Sequence, residues 1–196
     1  HLFSTSALLD DSWWNRTVWM YTERWPGYYI ANRAPKAGQL LVFDSATTYG
    51  VKVYTTRNVH SPMFFPGQGY MLFADDNDNE PVLLPNAMNR DKGIGFTRAR
   101  PARWSVRVPV RVRAMVVAGR TLFIAGPPDV LDPQDPLAAF EGRKGGLLWA
   151  VSTADGKKLA EYKLASPPVF DGMIAANGRV YVSLKDGRLV CMAGVR

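Results

Sequence analysis

Cysteine and histidine are almost missing from this chain. Its 196 residues hold one cysteine, Cys191, and two histidines, His1 and His60. A single thiol excludes an internal disulfide and a cysteine-only metal site. Cys191 lies in the apolar run Leu189-Val190-Cys191-Met192, a pattern that predicts a buried, inert thiol. His60 has only the terminal His1 as a possible metal partner. No apolar run approaches the ~18 residues of a membrane span. No basic, then apolar, then small-residue leader opens the chain. It begins with His1 rather than Met, which fits a fragment of a longer protein. Helical periodicity is nearly absent. No Gly-x-Ser-x-Gly elbow and no phosphate-cradling glycine loop appears, and no catalytic set assembles.

What is present is a repeat. Residues 109–125, PVRVRAMVVAGRTLFIA, recur as 168–184, PVFDGMIAANGRVYVSL, at a constant offset of 59. Each copy has an apolar run, a Gly-Arg turn and a second apolar run. The spacing predicts hairpins of Ala114–Val117 with Thr121–Ala125, and of Met173–Ala176 with Val180–Leu184. Asn177-Gly178 is the strongest short hairpin signal, because both residues accept positive φ. A third strand follows each hairpin, at Gly187–Met192 and at Gly146–Val151. The spacing Gly119 to Gly146, against Gly178 to Gly187, leaves 18 more residues in the first copy. That proline- and acid-rich insert, 127–143, reads as a loop excursion. Trp104–Val108 and Glu161–Leu164 fit fourth strands. Gly38–Ala46 resembles Gly145–Thr153 and reads as the third strand of an earlier unit.

These segments divide the chain into four units, roughly 1–57, 58–107, 108–165 and 166–196, the last lacking a fourth strand. The expected fold is all-β: a β-propeller of four-stranded antiparallel blades, about four in number, in a partial or incomplete ring. The remaining blades, or another copy of the chain, would complete it.

The order Gly178-Arg179-Val180-Tyr181-Val182, then Asp186-Gly187-Arg188-Leu189-Val190-Cys191, after Trp149 through Asp155-Gly156-Lys157, resembles the quinoprotein-like repeat of pyrroloquinoline-quinone (PQQ) dehydrogenases and of the bacterial outer-membrane assembly lipoprotein. Leu9–Thr17 and Ser166–Met173 are similar to the C-terminal part of planctomycete-type propellers of this kind. The resemblance implies a bacterial, periplasmic or otherwise extracytoplasmic protein. It also implies, for the dehydrogenases, a vicinal disulfide, a calcium site and a catalytic aspartate. One cysteine cannot supply the disulfide, so no cofactor is expected on this segment.

Four clusters carry candidate chemistry. Asp10, Asp11, Trp13, Trp14, Arg16 and Trp19 combine carboxylates with indoles that stack on sugars or at interfaces; a turn with tryptophans packed between blades is the competing reading. Asp75–Glu80 has oxygens at alternate positions, but lacks the glycine and terminal glutamate of a calcium loop at the needed spacing, and reads as a solvated hairpin or loop. Arg107, Arg111 and Arg113 alternate with Val106, Val108, Val110 and Val112, which on a strand gives an arginine stripe for anions, or a solvated face guarding an edge. The net charge of +7 can serve nucleic acid, anionic polymers or an acidic partner, but it is dispersed outside this stripe, and the stripe lacks the interleaved aromatics of a single-strand nucleic-acid site, so nucleic acid is not expected. Asn15-Arg16-Thr17 forms a glycosylation triplet. The expected function is a non-catalytic scaffold or binding domain for a protein or glycan. The alternative is part of a quinoprotein-type oxidoreductase or carbohydrate-active propeller whose catalytic residues lie elsewhere.

Overall fold

A computed structural model describes residues 1–4, 18–24, 36–52, 69–83 and 96–194. The described residues form antiparallel sheets with one single-turn helix. In chain order the strands are β1 (Leu2–Ser4), β2 (Trp19–Tyr21), β3 (Ala37–Gly38), β4 (Leu40–Phe43), β5 (Thr47–Lys52), β6 (Tyr70–Asp76), β7 (Pro81–Leu83), β8 (Phe96–Arg98), β9 (Trp104–Val108), β10 (Ala114–Ala118), β11 (Thr121–Gly126), β12 (Gly146–Ser152), β13 (Lys158–Leu164), β14 (Pro168–Ala176), β15 (Arg179–Leu184) and β16 (Leu189–Ala193), with α1 (Ala138–Glu141) between β11 and β12.

Four sheets follow one another along the chain. Their strand orders are β1-β2-β3, β4-β5-β6-β9, β10-β11-β12-β13 and β14-β15-β16, and β7-β8 is a separate hairpin. Every pairing is antiparallel. The two predicted fourth strands, β9 and β13, occupy the fourth positions of their sheets. Both hairpins of the repeat form, with Val117↔Leu122 paired in the first and Ala175↔Val180 in the second. At the second turn Asn177 has φ 52° and Gly178 φ 69°, the paired positive values of a tight hairpin turn. A Cβ added at Gly178 would meet nothing within 4 Å, so backbone conformation rather than space selects glycine there.

Alternation along the strands gives each inner sheet two apolar faces. Leu122, Ile124, Val151 and Met115 of the third sheet pack with Leu40, Val51, Leu72 and Trp104 of the second. Its opposite face, Ala114, Ala125, Leu148 and Leu164, packs with Met173, Val180, Val182 and Leu184 of the fourth. Each fully buried aliphatic side chain in these layers is worth roughly 2 kcal/mol. Trp104 locks the second sheet to the third: its Nε1 donates to Thr153 O at 2.8 Å, and its ring lies against Gly156. The first strands keep the sheet order in space, with β10 lying against both β4 and β14.

Two sequence expectations change. The boundary at 57/58 falls within the second sheet, because β5 and β6 pair from Thr47↔Asp76 to Lys52↔Met71. Gly38–Ala46 contributes β4, the first strand of that sheet, not a third strand. The cause is local. Asp44 Oδ1 accepts hydrogen bonds from the backbone N–H of Ala46 and Thr47, both at 2.8 Å, and turns the chain straight back into β5. Cys191 is the second correction: it is exposed. It lies in register with Tyr181 and Ile174 on the outward face of the fourth sheet, which no other described sheet covers. Ile174 is 61% and Leu189 66% accessible on this sheet.

Candidate functional site

The chain crosses from the second sheet to the third through Pro109–Arg113, and the 127–143 insert folds over that crossing. Backbone bonds extend the β10–β11 ribbon beyond its regular part. Arg113 N donates to Ala125 O at 2.8 Å, Arg111 N to Pro127 O at 2.8 Å, and Asp129 N to Pro109 O at 2.9 Å. Val110 and Pro128 form an isolated bridge. Prolines at 109, 127 and 128 end the regular ladder, because they cannot donate to it.

Side chains then fasten the insert. Arg111 Nε donates to Asp129 Oδ1 at 3.1 Å, with side-chain accessibilities of 4% and 2%. The other oxygen, Oδ2, accepts from the N–H of Gly69 at 2.8 Å, which ties in the start of β6. Arg113 Nη2 donates to Phe140 O at 2.9 Å. The Phe140 ring centroid lies 5.7 Å from the Arg111 guanidinium carbon and 5.6 Å from that of Arg113, so one aromatic ring serves both cations. Arg111 Nη1 is buried without a hydrogen-bond partner among the described residues. Gly126 permits the close approach: a Cβ there would stand 1.8 Å from Arg111 O.

The arginine stripe is therefore not assembled as a solvent-facing array. Val108, Val110 and Val112 are buried as expected, but Arg111 and Arg113 are buried too, while Arg107 is exposed on β9, its Nη1 3.3 Å from Gly69 O. Strand alternation did place the arginines opposite the valines. The insert supplies a second cover that covers the opposite face as well.

The outer surface of the insert differs in character. Asp135 pairs with Arg143 at 2.6 Å and Asp132 with Lys144 at 2.7 Å, and Arg143 also meets Glu141. The Lys144 ammonium holds the Asp132 carboxyl below the usual carboxylate range. Val130, Leu131 and Leu137 of the insert are exposed as well.

Asp171 flanks the crossing. Its backbone N–H donates to Arg113 O at 2.8 Å, and its φ of 54° is a left-handed value that a non-glycine residue seldom adopts. Although the residue is exposed as a whole, desolvation of its carboxyl pushes the pKa up.

The acidic stretch runs from the end of β6 into a turn at Asn77 and Asp78, with Asp78 exposed and Asp75 and Asn79 buried. Its carboxylates are already engaged: Glu80 with Lys36 at 2.8 Å, Asp76 with Arg103, Asp78 with Arg100, and buried Asp75 with Asn79 Nδ2 at 2.7 Å. Lys36 is fully buried and also donates to Asn77 O at 2.6 Å. No group of three or more His, Cys, Asp or Glu among the described residues is arranged to hold a metal ion. Asp10, Asp11, Trp13, Trp14 and Arg16 lie outside the described residues, as does His60.

The sequence reading missed Asp129, Phe140 and Asp171. Only the first carried a signal, as an acid near the start of a proline-rich insert. Neither a family model nor a curated protein matches the chain. No described helix is long and apolar enough to cross a membrane.

Proposed function

We propose that this chain is a non-catalytic binding domain, built as part of a β-propeller, whose insert presents a protein-docking surface. The observation that carries the reading is the anchoring of 127–143. The insert is fixed from beneath by Arg111–Asp129 and Arg113–Phe140, yet it leaves Val130, Leu131 and Leu137 exposed and also carries the surface pairs Asp132–Lys144 and Asp135–Arg143. An anchored loop that exposes apolar side chains together with paired charges suits a protein partner, because little ordering entropy is lost on docking. The clamp beneath it holds no nucleophile and no acid–base pair, which supports a structural role for its charges.

Propeller geometry is supported by the succession of antiparallel sheets, by fourth strands at β9 and β13, and by the neighbouring first strands β4, β10 and β14. The outward face of the fourth sheet, with Ile174, Tyr181 and Leu189, which no other described sheet covers, suits a further blade or a second copy. The likeness to the quinoprotein-like repeat favours an extracytoplasmic setting.

The test is a binding screen by biolayer interferometry against soluble proteins and a glycan array. The wild type is compared with a Val130→Ser, Leu131→Ser, Leu137→Ser triple variant of unchanged circular dichroism. A protein ligand lost by the triple variant and retained by Arg107→Ala supports the proposal. Glycan binding indifferent to the triple variant, or turnover of a PQQ-dependent alcohol assay, overturns it.

A further inference from the structure

Among the described residues the fourth sheet ends at β16, and none of them fills the next strand position. In the second and third sheets that position holds β9 and β13, paired along β6 and β12. Among the described residues, no strand pairs with the outer edge of β16.

The register identifies which groups face that edge. Leu184 N donates to Arg188 O at 2.8 Å, so Leu184 and Arg188 form a hydrogen-bonded pair at the hairpin end. Antiparallel pairs alternate along the ladder. Val182↔Val190 and Val180↔Met192 are then hydrogen-bonded pairs, while Ser183↔Leu189, Tyr181↔Cys191 and Arg179↔Ala193 are not. The backbone N–H and C=O groups of Leu189, Cys191 and Ala193 therefore point away from β15, toward the open edge. They form a row of unpaired donors and acceptors of the kind that templates strand addition.

A groove of about 610 Å³ lies between the third and fourth sheets and reaches the Met192–Gly194 end of this edge. Leu148, Leu159 and Tyr162 line one wall, and Ala175, Val180 and Met192 the other. Leu159 and Tyr162 of β13 are exposed there. They project toward the space a fourth strand beyond β16 would fill. An apolar side chain opposite Met192 on an added strand would share its sheet face and enter the groove.

We propose that the β16 edge and this groove bind an extended peptide segment of a partner protein by strand addition. The segment carries apolar residues at alternate positions. Backbone pairing to Leu189, Cys191 and Ala193 would supply the register, and the groove would select the inward side chains. This surface is separate from the insert, so either proposal can fail alone.

The fourth strand of the adjacent sheet supplies a probe of the right pattern. A fluorescein-labelled peptide spanning residues 156–166 is titrated against the intact chain, with anisotropy as the readout. Amide hydrogen exchange is followed by NMR. The expected result is saturable binding, with exchange slowed at Leu189, Cys191 and Ala193. Cys191→Pro removes one outward N–H without breaking a bond to β15, and weakens binding at least about tenfold. Ala175→Phe fills the groove and weakens it without touching the edge. Ile174→Ser, on the far face, leaves it unchanged. Binding equal to wild type in Cys191→Pro, or slowed exchange confined to other strands, overturns the proposal. So does a concentration-dependent dimer that buries the β16 amides and excludes the peptide, which would make a second copy the occupant.

Discussion

Arg111 Nε and Asp129 Oδ1 meet at 3.1 Å in a site almost closed to water, and Asp129 reaches on to the Gly69 amide with its other oxygen. One carboxylate thus joins three separate stretches of chain: the inter-sheet crossing, the insert and the start of β6. Removing either partner strands a buried charge.

Asp129→Ala should accordingly cost about 3–5 kcal/mol, because the Arg111 guanidinium is left uncompensated. Urea unfolding measures it. The double variant Arg111→Met, Asp129→Leu should recover much of the loss, since it removes both buried charges at once. A double variant as unstable as the single one would contradict this account.

Gly126→Ala tests the backbone approach beneath the insert. The added methyl would overlap Arg111 O, which belongs to the main chain and cannot swing aside. A loss near the upper end of the range for overpacking, about 1–3 kcal/mol, is expected by thermal denaturation. Gly119→Ala, with open space around it, should lose less, and only through its φ of 58°.

Lys36→Met should cost about 1.5–3 kcal/mol, the worth of charge-assisted bonds to Glu80 and Asn77 O. Its burial limits screening, so the difference should persist at high salt. Since the carboxylates of 75–80 are already paired, millimolar calcium should leave the melting temperature unchanged. A calcium-dependent rise would show that the cation displaces the clamp.

Asp171 carries a carboxyl whose pKa burial raises. A raised folded-state pKa means that the folded protein binds the proton more tightly than the unfolded chain does. The associated stability is present in full below the ordinary carboxylate pKa, and is lost as pH rises through the raised value. Asp171→Asn should therefore raise the melting temperature at neutral pH, with the gain fading in acid. Asparagine also tolerates the left-handed backbone. Equal melting temperatures at neutral pH would refute the desolvation cost.

Cys191 should react with one equivalent of Ellman's reagent in the native state, without denaturant. Protection until unfolding would mean that the outward face of the fourth sheet is covered in solution.

The hairpins were legible because alternation and an Asn-Gly turn are local signals, as were the fourth strands at Trp104–Val108 and Glu161–Leu164. Arg111 and Arg113 were legible as a strand face but not as buried groups. Burial there depends on Asp129 and Phe140, which lie 18 and 27 residues further along the chain. Lys36 reached its partners over a still greater separation, 44 residues to Glu80. Gly38–Ala46 misled because its sequence matches a third strand, while its place in the sheet follows from the Asp44 turn and from which strand was free to pair.

The sequence by itself determined the all-β character, the repeated hairpins and the position of the insert, since periodicity and turn chemistry act over a few residues. Tertiary structure alone decided that Arg111 and Arg113 are covered, that the acidic stretch is a clamp, and that Cys191 faces outward. Each of these depends on which distant surface arrives against a strand. A strand's own alternation specifies two faces and leaves open what, if anything, covers them.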